Sequence, residues 1–167
     1  MVGLAAGVLI GWFFSPKSSD EQIVIPAAKA TAYTQLSDQE LKSRSLQLVS
    51  AIRELTRSYN QEDDRMRMSA DENSGKAASQ GERDNIRKAW INDSAKLHDR
   101  FMDRYKTNFW ADAILLRQAI VAKIGDAPGA ENPILFQHPT NILGVEQVAN
   151  SLELLGKSLP TSGPAKP

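Results

Sequence analysis

From Leu48 the apolar residues recur as Ile52, Leu55, Tyr59 and Met66, at steps of four, three, four and seven. At about 100° per residue these steps add up to five whole turns, so the stripe runs straight along one face of an α-helix. Strands, whose side chains alternate with period two, cannot use such a pattern. Leu41 continues the stripe upstream, and Ser37 or Asp38 followed by Glu40 has the form of a capping box. The spacing therefore predicts a first long helix over about residues 38–72.

Polar and small residues from Asp71 to Gly81 then interrupt the pattern, and a second helix is expected from near Glu82, carrying Ile86, Trp90, Leu97, Phe101 and Tyr105. From Leu97 through Phe101, Tyr105 and Phe109 to Ala113 every step is four. Such a run swings its apolar line by about 160° around an α-helix. Either the helix stutters or it breaks near Thr107 and Asn108, with a third helix over about 109–124 carrying Ala113, Leu116, Ile120 and Ile124. Gly125, Pro128 and Gly129 stop it, and Ile134, Leu135 and Phe136 in the following loop are expected to plug one end of the bundle. Thr140 or Asn141 caps a fourth helix with Ile142, Val145, Val148, Leu152 and Leu155, ended by Gly156.

The fold class is thus all-α: a membrane helix at the N-terminus, then a long antiparallel hairpin or a small bundle of three to four helices. The organisation expected is an anchor at residues 1–15, a linker at 16–36, a helical domain at 37–159 and a disordered, Pro-rich tail at 160–167. Residues 36–72 carry eight acids and six bases, and residues 82–124 six acids and nine bases, an offset of sign that favours pairing of those two segments.

The anchor reading comes from MVGLAAGVLIGWFFSPKSS, whose first fourteen residues hold no charged side chain. A helix over Val2 to Phe14 is about 20 Å long against a hydrocarbon core of about 30 Å, short for a span. The expectation is that the true start lies upstream of the recorded one. A cleaved signal peptide lacks its basic n-region and a nearby cleavage site, and a soluble core helix would carry three costly glycines. In a membrane helix Gly3, Gly7 and Gly11 share one face and allow a neighbouring helix to approach closely. Trp12, Phe13 and Phe14 then form an interfacial aromatic group, with Lys17 just outside. Gly3, Gly7, Gly11, Phe14, Pro16, Lys17 and Ser18 together resemble the start of YtxH-like small bacterial membrane proteins, in which a glycine-rich apolar helix ends in a Pro-Lys-Ser segment. The resemblance spans residues 3–21 and implies the anchor alone.

Candidate chemistry is sparse. With no cysteine there is no disulfide, thiolate nucleophile or Cys-ligated zinc, and twenty basic against twenty acidic residues provide no field for nucleic acid. His98 lies beside Asp99 and near Asp103, but Lys96, Arg100 and Arg104 surround them, which reads as ion pairing on a solvated face. His138 sits in a loop before a proline, and Glu62, Asp63 and Asp64 read as a solvated face. Nucleophile elbows and phosphate-binding glycine loops are missing from the sequence. Hence no catalytic, cofactor or metal residues are assigned, and the chain reads as a non-enzyme. Most aromatics at helical spacing should be core. Trp110 lies beside the line through Phe109 and Ala113, so Trp110, with Tyr105, is expected to present the partner surface.

These readings converge on a single-pass inner-membrane protein whose helical domain lies on the periplasmic or extracytoplasmic side. There it would act as an interaction or scaffold module, with the lipid bilayer and a protein partner, or a second copy, as its partners. Two other readings stay open. A ligand-sensing bundle would line a pocket with Trp90, Phe101 and Tyr105, and a phage spanin-like lysis protein would form an extended coiled coil.

Overall fold

The structure, a computed structural model, describes residues 27–125, 127–130, 136 and 139–160. The expected anchor with Gly3, Gly7 and Gly11, the first part of the linker, the Pro-rich tail from residue 161, and Ile134, Leu135 and His138 lie outside the described residues. Among the described residues every regular element is helical, and no helix is long and apolar enough to cross a membrane.

Part of the expected linker is ordered as helix α1 (Ala27–Thr34). A helix this short is marginal by itself. It is held by Tyr33, whose ring is buried and whose hydroxyl donates to Asp112 Oδ1 at 2.7 Å, by Lys29 paired with Asp112 at 2.8 Å, and by the Arg44 guanidinium 5.5 Å above the Tyr33 ring. Helix α2 (Asp38–Lys76) starts at the expected capping box: Ser37 Oγ accepts from the Glu40 amide and the Glu40 carboxylate accepts from the Ser37 amide. It runs 39 residues, about 58 Å, four residues past its expected end.

Helix α3 (Gln80–Tyr105) returns antiparallel along α2 and passes without a break into α4 (Ala111–Ile124) through one π-helical turn, Lys106–Trp110. That turn answers the run of four-residue steps. One extra residue in the turn takes up about 100° of the 160° drift and keeps Tyr105 and Ala113 in the same core. The buried positions consequently step by five, from Tyr105 to Trp110. Both residues are core, not partner surface: Tyr105 is fully buried, and Trp110 is buried with Nε1 donating to the Phe136 carbonyl at 2.7 Å. Trp110 is expected outside because it lies beside the line through Phe109 and Ala113, and the π turn rotates it inward. Phe136 is buried beneath the Arg117 guanidinium, as a plug should be.

Helix α5 (Ile142–Ser158), capped by the Asn141 side chain on the Gly144 amide, packs antiparallel on the N-terminal half of α2. Gly156 does not end it. A Cβ at Gly156 would stand 2.9 Å from Ser45 Oγ, and Ser45, fully buried, donates to the Leu152 carbonyl at 2.7 Å. The glycine therefore marks the close approach of two helices. Helices α1, α4 and α5 close around α2 only as far as Thr56: beyond it α2 holds no buried residue, and α3 holds none before Leu97. The hairpin and bundle alternatives are thus both realised, as a helical body and a two-helix arm. Residues 57–76 of the arm extend about 30 Å past the body core.

Candidate interaction surface on the helical arm

Arm helices meet along a thin seam. Tyr59, Asp63, Met66, Ala70 and Ser74 on α2 are half-buried against Ile86, Trp90 and Ser94 on α3, at steps of three and four. Polar or small residues fill half of these positions and none is fully buried, so the seam buries little apolar area. At its base the Tyr59 and Phe101 rings meet edge to face at 5.3 Å, and Arg100 pairs with Glu62 at 3.0 Å. One turn further out Ser94 Oγ donates to Asp63 Oδ1 at 2.9 Å, which fixes the register. At the tip Ser79 caps α3 on the Glu82 amide, while Glu82 accepts from the Ala78 amide.

The acidic trio is divided between different tasks. Glu62 and Asp63 hold α3, and Asp64 pairs with Arg67 on its own helix at 2.9 Å. Asp63 is in the seam and not on a solvated face, a placement no local pattern of charges reveals.

Trp90 is the largest apolar residue of the arm. Its indole N–H is shielded from solvent and reaches no hydrogen-bond acceptor among the described residues. An open groove of about 420 Å³ lies on one side of it, lined by Arg65, Met66, Ser69, Ala70, Asn73, Ile86, Ala89 and Asp93. A smaller groove of about 220 Å³, lined by Tyr59, Glu62, Leu97, Arg100 and Phe101 among others, opens on the same face nearer the body. Met68 and Ile91 stand out into solvent elsewhere on the arm, 67% and 50% exposed.

The three aromatics of the ligand-pocket reading do not come together. Trp90 flanks grooves in the arm, Phe101 packs on Tyr59, and Tyr105 is sealed in the body. A polar cleft of about 430 Å³ where α5 leaves α2 is lined by Arg53, Arg57, Asn60, Asp64, Glu146 and Asn150. Its arginines are engaged, Arg53 by Asn150 and Glu153 and Arg57 by Glu54. Lys157, with Arg53, holds the Glu153 carboxyl below the usual carboxylate range. His98 lies 3.7 Å from Asp99 on the surface, and no group of three or more potential metal ligands exists among the described residues. No family model, curated protein or solved structure matches the chain.

Proposed function

We propose that this chain is a membrane-tethered, non-enzymatic helical interaction module of the bacterial cell envelope, with its contact surface on the arm. One observation carries the reading: twenty residues of α2 and the α3 segment opposite them project beyond the last buried residue, without adding to the core, and leave the flank of Trp90 open. An element that must be ordered while burying so little gains stability from a partner. The uncharged N-terminal run with its Gly3, Gly7 and Gly11 face supports a tether to the inner membrane; the helical domain is assigned in this reading to the extracytoplasmic side. The scattered Trp90, Phe101 and Tyr105 weigh against a ligand-sensing bundle, and the folded-back α4 and α5 weigh against a spanin-like extended coil.

A photo-crosslinking amino acid at Ala89 on the arm or at Gln47 on the body, in cells that make the protein, tests this. Adducts to protein from position 89 and none from position 47 are expected. Adducts from 47 alone would overturn the assignment, and a C-terminal reporter active only in the cytoplasm would overturn the orientation.

A further inference from the structure

We infer that the occupant of the arm groove is a second copy of this chain, docked in parallel so that α2 of each copy lies over α3 of the other. The inference rests on the interaction-module reading and names its partner. Along the groove face, α2 presents Glu62, Arg65, Ser69, Asn73 and Lys76, at steps of three, four, four and three. On the same face α3 presents Glu82, Ala89, Asp93, Lys96 and Arg100, at steps of seven, four, three and four. Both are single stripes at helical spacing.

In the register set by the Asp63–Ser94 bond and the Glu62–Arg100 pair, charges at one level are opposite in sign: Glu62 with Lys96 and Arg100, Arg65 with Asp93, and Lys76 with Glu82. Between them lie Ser69 and Ala89, both small and both exposed. A two-fold axis along the arm places each charge of α2 over its opposite on the partner's α3, and each small residue over the other. The other face of the arm lacks this pattern. There Asp71 lies level with Arg87, but Arg67 is level with Ile91 and Ser74 with Asp84.

Arg65 is the least satisfied member within one copy, for it pairs with no carboxylate among the described residues, whereas Lys76 has Glu72 and Lys96 has Asp93. An antiparallel docking centred on Ser69 and Ala89 would put α2 on α2 and set Glu62 against Lys76 and Glu82 against Lys96, but would leave Arg65 opposite Asn73 and Asp93 opposite Asn85. Two copies tethered through their N-terminal segments to one bilayer are also presented in the same direction, which suits the parallel arrangement.

The chain has no cysteine, so single introduced thiols report the geometry directly. Full-length S69C and A89C chains, purified in mild detergent, are oxidised separately and as a mixture. Disulfide dimers should form in the mixture about tenfold faster than in either variant alone, because only the mixed pair brings the thiols together. R65D should weaken dimerisation about tenfold by sedimentation, since the two-fold repeats the lost pair, and R65D/D93R should restore it. Helicity measured on each variant checks that the arm stays folded. Dominant S69C self-linking, or no dimer in any combination, overturns the proposal. Should the cellular adducts from position 89 then carry another protein, the interaction-module reading stands and only the self-association is lost.

Discussion

Removing the hydroxyl of Tyr105 should stabilise the protein. Tyr105 is fully buried at the junction of α3 and the π turn, and its hydroxyl finds no hydrogen-bond partner among the described residues. An unsatisfied buried hydroxyl costs about 1–3 kcal/mol of desolvation, against which its oxygen recovers well under 1 kcal/mol of dispersion. Tyr105→Phe should therefore gain about 1 kcal/mol at neutral pH, about fivefold in the folding equilibrium.

The same burial raises the phenol's pKa, and this adds a second, independent signature. Because the folded state holds the proton more tightly than the unfolded chain, the contribution is fully present below pH about 10, the ordinary tyrosine value, and is lost as pH rises above it. The advantage of Tyr105→Phe should widen by about 1.4 kcal/mol per pH unit from there. Urea denaturation followed by tryptophan fluorescence at pH 7 and between pH 10 and 11.5 measures both. Tyr33, pushed up to about 12 first by burial and then by Asp112, titrates in both proteins and cancels in the difference. A variant that is less stable at neutral pH would refute the reasoning, because the hydroxyl would then be hydrogen-bonded, and a difference independent of pH would refute the burial of the phenol.

Gly156→Ala gains about 1 kcal/mol of helix propensity, but its Cβ would sit 2.9 Å from an Ser45 Oγ pinned by its own hydrogen bond. Forcing α2 and α5 apart costs about 1–3 kcal/mol, so a lowered urea midpoint is expected, partly recovered in S45A/G156A. Ser37→Ala removes the cap of α2 and should cost about 1 kcal/mol in the same assay. Hydrogen exchange should be faster at the amides of 60–74 and 82–93 than at 49–55 and 113–120, where the core is buried; equal protection in the two sets would deny the division into body and arm.

What the sequence reveals depends on how local the cause is. The cap at Ser37 and Glu40 and the heptad stripe of α2 are legible because neighbours along one helix decide them. Gly156 is misread since glycine after a periodic run has the form of a helix stop, while its real constraint, Ser45, is more than a hundred residues away. The helix at Ala27–Thr34, inside the linker stretch, is not legible for a similar reason: Ala-rich sequence is capable of helix, but Asp112 and Arg44 supply what holds it. Trp110 reads as outside because it lies beside the line through Phe109 and Ala113, whereas the π turn at 106–110 moves the buried line from Phe109 to Trp110; Tyr105 stays on the line from Leu97 and Phe101 and is core. The warning was present as five apolar positions in unbroken four-residue steps, more rotation than a straight seam allows.

The arm is the harder case, because its helices are as periodic as those of the body and periodicity does not say where a bundle ends. The difference lies in what occupies the stripe. From Leu41 to Leu55 the seam of α2 is aliphatic apart from Ser45, and three helices close on it. Beyond Tyr59 it reads Asp63, Met66, Ala70, Ser74, which suffices to pair with one helix and offers too little to a third. A stripe that keeps its spacing while losing its apolar bulk thus marks the point where a helix leaves its core. Past that point the flanking charges, invisible to a hydropathy pattern, become the part of the sequence that specifies what the helix meets.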